Sequence, residues 1–336
     1  MKINHPDEYI TAFLTKTSLP VDSHTEYNIN SRNLILTLTD RDSEKYIAKI
    51  SPDFHRGELE FESAIIRELQ TETTMPLPEI TEFHKDEFFS YLISPFYESK
   101  HMDWSSDTQV VNFIQDVAKI MYQIHLIHKD QFEDNTGHSI RTAPIHESIT
   151  SNTRATLREL AYTDTEQYAE PVLNIERELL SYPLSEERLR VMHGDIHLPN
   201  LILNEDGSIY RLLDFEMLKE GDICFDFGKL FSRTLHLYEP YTNYSLDEMI
   251  SMFFEAYPED LSTDIKESAK LYCYSYTIKS YGRVQRSGMY NRWVENPLIT
   301  DDGVERYKQM ADEVEEWAEE TLQNQSVSDP SPITDA

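Results

Sequence analysis

Cysteine is almost missing. Cys224 and Cys273 are the two in 336 residues, too few for a disulfide framework or a metal knuckle. Glycine is scarce as well, nine in all and none before Gly57. Any loop near the N-terminus that meets a ligand must do so without the close approach that glycine permits. Basic residues are outnumbered, 30 Lys and Arg against 61 Asp and Glu, which leaves a net charge of −31. So acidic a chain repels a polyanionic backbone, and no local basic patch relieves this, so nucleic acid is excluded as a partner. No apolar run reaches membrane-spanning length, and the opening MKINHPDEYI lacks an apolar stretch of the secretory type. No membrane partner and a soluble, cytoplasmic protein are therefore expected. What is abundant is core-forming material, 39% hydrophobic with twenty tyrosines and fifteen phenylalanines, which excludes wholesale disorder. The length favours two lobes. Oligomeric state leaves no trace in the sequence.

The acidity has two readings. A cationic small molecule drawn to an acidic cleft is one. Adaptation of the whole surface to a salt-rich cytoplasm is the other. The acids are spread along the entire chain, which favours the second.

Two textures divide the chain. Residues 27–50 alternate as strands: Leu34, Leu36 and Leu38 share one face, Tyr46, Ala48 and Ile50 another, with DRDSE between them as a hairpin loop. Residues 58–70 have helical spacing and are stopped by the prolines of MPLPEI. FFSYLI at 88–93 makes a further strand. Beyond it, helical patterns take over at 107–128, 150–162, 166–181, 245–256, 262–281 and 303–323, with 129–149 a polar, broken loop. The expected fold class is α+β. A small β-rich lobe spans 1–96, a larger and mainly helical lobe spans 97–320, and 321–336 form a disordered tail.

The sharpest segment is HGDIHLPNLILNEDGSIYRLLDFEMLKEGDICFD at 193–226. LIL and SIYRLL are strand-like, and NEDG is a turn signal. A hairpin there brings Asn200 at its entry close to Asp214 at its exit, with Asp195 on the loop at the same end. Hard oxygen ligands in that number, with room left for water and phosphate, suit Mg²⁺. The spacing H-x-D-x-x-x-x-N followed by D-F is the one that kinase catalytic and metal loops require. His193 would then pin the loop by hydrogen bonds.

Such a site needs a lysine for phosphate, and a carboxylate to hold that lysine. Lys49 lies on the strand KYIAKI. On the helix that follows, Glu62 shares the stripe of Leu59, Ile65, Ile66 and Leu69, where an unpaired charge is costly. Lys49 is its natural partner, and Glu58 is a rival carboxylate.

These segments resemble the aminoglycoside phosphotransferase and choline kinase superfamily, small-molecule kinases with a protein-kinase-like, bilobal fold. The resemblance rests on HGDIHLPNLIL, on LLDFE with the later GDICFDFG, on the helix 58–70 followed by MPLP, and on QIHLIH near 123–128. It implies Asp195 as catalytic base, Asn200 and Asp214 as metal ligands, Lys49 as the phosphate-binding lysine and Glu62 as its ion-pair partner. It also implies that Asp226 is a buried aspartate bracing the catalytic loop. Adenine would meet the hinge backbone near Ile93–Phe96. The loop over the ATP phosphates would lie around Asn28–Arg32, without glycine but with the Ser31 hydroxyl. Gly194 stands where regulated protein kinases carry arginine, so activation by loop phosphorylation is not expected. Glu216 replaces the glycine of the protein-kinase motif. The implied reaction moves the γ-phosphoryl group of ATP, with Mg²⁺, to a hydroxyl of a small molecule.

Two other readings use the same residues. A nucleotide-binding pseudokinase or regulator would share the fold, and the missing glycines are its support. His193, Asp195 and His197 also alternate as a metallohydrolase ligand set would, but Gly194 and Pro199 make the segment a loop. Among the aromatics of 272–293, Tyr281, Arg283, Arg286, Tyr290 and Trp293 are candidates to line a substrate pocket.

Overall fold

The computed structural model describes residues 6–29, 33–52, 56–161, 165–183, 185–286 and 301–327. In chain order these form α1 (Pro6–Lys16), β1 (Val21–Ile29), β2 (Leu34–Asp40), β3 (Lys45–Pro52), α2 (Arg56–Glu72), β4 (Glu82–Lys85) and β5 (Phe89–Pro95). There follow α3 (Asp107–His125), α4 (Lys129–Thr136), α5 (Ile145–Leu160), α6 (Ala169–Ser181), β6 (Leu189–Met192), β7 (Leu201–Leu203) and β8 (Ile209–Leu212). The chain continues with β9 (Lys219–Asp222), α7 (Ile223–Leu230), a π-helical turn (Phe231–His236), α8 (Leu246–Ala256), α9 (Thr263–Arg286) and α10 (Asp301–Val327). The fold class is α+β. No described helix is long and apolar enough to cross a membrane.

Two compact units result. The first takes the chain through Asp103, then Leu126–Ile140 and Pro199–Leu218. The second takes Trp104–His125, Arg141–Leu198 and the chain from Lys219 onward.

In the first unit an antiparallel sheet has the order β1-β2-β3-β5-β4. Its register sets Leu34 opposite Ile50, Leu36 opposite Ala48 and Leu38 opposite Tyr46. The two triplets expected on separate faces therefore share one sheet face, because directly opposed residues point the same way. That face is closed by Ile10 and Phe13 of α1, a helix the pattern reading passed over. Each fully buried leucine there contributes about 1.5–3 kcal/mol relative to an exposed one. Lys49 alternates with Ala48 and Ile50, so it points to the opposite face, where α2 packs. Leu59, Ile65, Ile66 and Leu69 are all buried, as their spacing on α2 requires.

The hairpin β7–β8 also belongs to this unit. Its strands pair antiparallel with Leu201 opposite Leu212, and Gly207 makes the turn. Backbone bonds fasten it at both edges: Lys100 N–H donates to Leu203 O at 3.0 Å, and Leu212 N–H to Pro76 O at 2.8 Å, while the Ser99 hydroxyl accepts the Leu203 N–H at 3.1 Å. The expected loop at 129–149 is a correction. It contains α4, ended by Gly137 in the left-handed conformation, and α5 starts earlier than expected, at Ile145. Its polarity hid a short helix that buries little more than Phe132.

The second unit is mainly helical. α7 packs on α9, and the approach is close enough that a Cβ at Gly228 would lie 2.3 Å from Cβ of Tyr272. A small sheet of β6 with β9 carries the chain into the loop that begins at His193. α10 runs to Val327, into the stretch expected to be a tail, and residues 328–336 lie outside the described residues.

Candidate active site

In the first unit, three carboxylates gather around Lys49. Its ammonium lies 2.6 Å from Asp214 Oδ1, 3.0 Å from Glu62 Oε2 and 3.3 Å from Glu216 Oε2. Glu62 is buried and does two jobs: one oxygen accepts from Lys49, and the other accepts the Phe215 N–H at 3.3 Å. Helix α2 thereby holds both the strand lysine and the D-F-E turn. Burial pulls the Lys49 ammonium down, but the three carboxylates win and hold its pKa well above the usual value. For Glu62 burial dominates. Together with repulsion from Asp214 and Glu216 it outweighs Lys49 and lifts the carboxyl to about 7.

Asp214 sits at φ 70°, ψ 66°, in the left-handed region, where aspartate is among the few residues tolerated. Leu213 N–H donates to Asn200 O at 2.9 Å, so Asn200 and Asp214 leave the same end of the hairpin. Of the two candidate carboxylates on α2, it is Glu62 that accepts from Lys49 Nζ, at 3.0 Å. Buried Asn33 donates to Glu216 Oε2 at 3.1 Å. Sequence reasoning passed over Asn33, which belongs to no motif.

The donor set fits a hard divalent cation. Oxygens of Glu62, Asp214 and Glu216 lie within 4.8 Å of one another. One ammonium offsets only part of three negative charges, and carboxylate oxygens are what Mg²⁺ or Ca²⁺ accept.

Other expected site residues of this unit are placed less centrally. Phe96 commits its N–H to Lys45 O at 2.9 Å, and its ring is 38% exposed with the Lys45 ammonium 5.9 Å from its centroid. Contact with a base would thus fall to the ring or the carbonyl. Ser31 lies outside the described residues.

In the second unit the centre is Asp195, whose carboxylate is 24% exposed. Its Oδ1 lies 2.6 Å from Lys229 Nζ, 3.2 Å from Arg233 Nη1 and 3.4 Å from His197 Nε2. Burial raises the Asp195 carboxyl, but the His197 hydrogen bond and the charges of Lys229 and Arg233 overcome it and hold it far below the usual range. His197 itself is driven down to about 4, first by burial and then by Arg233, so it is neutral at pH 7. Lys229 and Arg233, at i and i+4 across the α7–π-helix junction, were not singled out from the sequence. No motif marks them, and only their helical spacing after the GDICFDFG segment could have done so.

The backbone under Asp195 is braced from below. Buried Asp226 accepts the N–H groups of His193 at 2.7 Å and Gly194 at 2.8 Å. Gly194 has φ 79°, which few other residues adopt. His193 is fully buried and its Nδ1 accepts the Asp195 N–H at 3.3 Å. His125, at the end of α3, places Nε2 3.8 Å from Asp226 and bonds Tyr257 through Nδ1 at 2.8 Å. Burial would raise Asp226, but His125, His193 and the Gly194 amide hold it below the usual range. Among the described residues, His193, Asp195 and His197 do not gather as a metal-ligand trio. Tyr281 and Arg283 lie on α9, whereas Tyr290 and Trp293 fall outside the described residues.

Several solved structures share this fold at low sequence identity. An amicoumacin kinase, hAmiN, determined with AMP-PNP, Ca²⁺ and Ami, aligns at TM-score 0.60 and 15% identity, covering 91% of this chain and 93% of its own. The GDP and kanamycin complex of APH(2")-IIia aligns at 0.62 and 12% identity, covering 92% and 98%. The aminoglycoside phosphotransferase APH(3'')-Id from Streptomyces rimosus, with ADP and streptomycin, aligns at 0.56 and 17% identity, covering 81% and 98%. The fold is thus the protein-kinase-like one, a small antiparallel sheet with a helical remainder. No curated protein matches the chain in sequence. The model of one family does match, that of the phosphotransferase enzyme family, APH, over residues 27–259, and the chain belongs to that family.

Proposed function

We propose that this chain is an ATP-dependent kinase whose acceptor is a hydroxyl of a small molecule. The observation that carries the reading is the lysine of β3 shared by a helix carboxylate and the acids of the D-F-E turn. In the first unit, Glu62 fixes the Lys49 ammonium against the sheet. One of its three donors then turns to phosphate when nucleotide is present. Asn200 and Asp214 would hold Mg²⁺, with Glu216 beside them. Bound there, the ion supplies neutralisation of the charge on the phosphate oxygens. The Ser31 hydroxyl and the Phe96 ring are assigned to the nucleotide.

In the second unit, Asp195 receives the acceptor hydroxyl. The acceptor oxygen bonds to the γ-phosphorus as the bond from that phosphorus to the β,γ-bridging oxygen breaks. ADP leaves, and the hydroxyl proton passes to the Asp195 carboxylate. A carboxylate held so firmly ionised is a weak base, so it orients the hydroxyl early and accepts the proton late. That order suits a loose transition state. Asp226 and His193 keep the loop from shifting. We further assign 1–96 to a nucleotide lobe and 97–320 to a catalytic and substrate lobe, in a cytoplasmic protein with no nucleic-acid or membrane partner.

The test is Asp195→Asn, assayed for ATP consumption against a hydroxyl library. We expect kcat to fall by about 10³-fold or more, with the nucleotide Kd within about threefold of the parent as a no-contact expectation. Ordinary turnover in the variant would refute the assignment. A parent that binds Mg·ATP and consumes none would identify a pseudokinase.

A further inference from the structure

Within the second unit a local cluster of cations stands out in a chain that is strongly negative. Among the described residues, the ammonium groups of Lys229 and Lys279 lie 5.6 Å and 5.1 Å from the centroid of one ring, Tyr276. Lys229 also reaches Asp195. Lys219 lies 5.0 Å from the ring of Phe225, which packs edge-on against Tyr276 at 5.1 Å. Arg233 is on Asp195, and Arg283 stands one turn beyond Lys279 on α9, its side chain 47% exposed. The carboxylates among them are already engaged: Asp195 by Lys229 and Arg233, Asp226 by two backbone amides, and Glu159 by Arg283 at 3.7 Å.

Lys279 is the telling member. It is 7% exposed, and its ammonium donates to a neutral group, Asn152 Oδ1 at 3.1 Å. Burying an ammonium with no anionic partner is costly, and the neighbouring cations add to that cost. Its pKa falls to about 7, first by burial and then by Arg283 and Lys229. A second observation is independent of charge. His197, 6% exposed and turned to Asp195 through Nε2, has a buried Nδ1 with no partner among the described residues. A neutral imidazole donating from Nε2 leaves Nδ1 as an acceptor for an O–H or N–H.

Resting on the kinase reading above, we propose that the acceptor is a hydroxyl-bearing anion, its carboxylate or phosphate met by Lys279, Lys229 and Arg283 while a hydroxyl lies on Asp195. A polycation is the wrong charge for this surface. The acidity of the whole chain therefore does not describe the acceptor site. Like charge placed against like turns a ligand away as surely as a steric clash does.

The experiment is a parallel acceptor screen with the full chain, Mg²⁺ and ATP. The probes are gluconate and glucose 6-phosphate as carboxylate and phosphate anions, glucose as their neutral counterpart, and kanamycin and choline as cations. We expect kcat/KM for at least one anion to exceed that of glucose by about tenfold or more, the scale of one charge-assisted contact. Lys279→Gln should then raise KM for that anion about tenfold more than for glucose, and Lys279→Arg should restore most of the difference. Whichever anion responds distinguishes carboxylate from phosphate. Preference for a cation or for glucose overturns the inference and leaves the kinase reading standing. So does an equal rise in both KM values in Lys279→Gln. If no acceptor is turned over, calorimetric titration of gluconate and glucose 6-phosphate decides. Binding that Lys279→Gln abolishes upholds the anion site while phosphotransfer fails, and no binding of either probe removes the site.

Discussion

Lys49 in the first unit and Asp195 in the second are charge-inverted counterparts. One is a cation among three carboxylates, the other an anion held by two cations and a neutral histidine. The difference lies in what each cluster lacks. Around Lys49 negative charge is in excess, and the Glu62 carboxyl is lifted in response. Such a cluster calls for another cation. Around Asp195 positive charge is in excess, and it is Lys279 that is pushed down. That cluster calls for an anion. In each cluster the charges are fixed in place by the fold, which is what electrostatic preorganisation requires.

The largest effect that would break this contrast comes from Lys49→Met. Turnover should fall by about 10³-fold, on the scale of other groups that stabilise phosphoryl charge. The variant should also gain more Tm from added Mg²⁺ than the parent does, because three carboxylates are left without their ammonium. Equal gains measured by thermal melting would count against a charge-deficient cluster. Lys229→Met is the counterpart in the second unit, with a smaller loss because Arg233 stays on Asp195. We expect kcat to drop by about 10- to 100-fold. The acid limb of the pH–rate profile should move to higher pH, as Asp195 loses a cation that holds it ionised. An unmoved acid limb would mean that Lys229 is only a packing residue.

Gly228→Ala disturbs the same cluster without altering a charge. The new Cβ meets Tyr272 and the backbone of Cys273, so α7 must shift from α9 at a cost of about 1–3 kcal/mol. Denaturant titration reads this directly, and an unchanged midpoint would show that the helices can separate freely.

The most delicate test uses pH. Glu62 titrates near 7 in the folded protein against a usual 4.5, so the folded state holds the extra proton between those values. Its contribution therefore makes stability fall as pH rises through that window. His197 titrates near 4 against a usual 6.5, so here the unfolded chain holds the extra proton. Its contribution makes stability rise with pH from about 4 to 6.5. Urea midpoints across pH 4–7 should rise more steeply in Glu62→Gln and less steeply in His197→Gln than in the parent. Parallel profiles for all three would remove the opposition.

Much of this was legible in the sequence, for reasons that can be named. Period-two and helical patterns exposed β2, β3, β5, α2 and α3, because each buries one face. The H-x-D-x-x-x-x-N spacing and the NEDG turn announced the hairpin, since turn chemistry is local. Glu62 stood out as a charge on an apolar stripe. Less visible was whatever depends on pairing distant segments. The β2–β3 register placed two triplets on one face where separate faces were expected. α1 was missed because its buried residues, Ile10 and Phe13, are too few to make a pattern. Lys229, Arg233 and Lys279 are ordinary helical cations until α7 and α9 are packed together, and Asn33 is an ordinary asparagine until β2 sets it beside Glu216.

The β7–β8 hairpin is tethered largely through peptide groups, those of Pro76, Lys100, Asn200, Leu203, Leu212 and Leu213, with the Ser99 hydroxyl as an added acceptor. Fastenings of that kind are indifferent to which amino acid supplies them, proline at a donor position excepted. Residues along this ribbon can therefore drift over evolutionary time while Asn200 and Asp214 keep their stations. The architecture can outlast nearly all resemblance in sequence, and here it persists at identities of 10–17%.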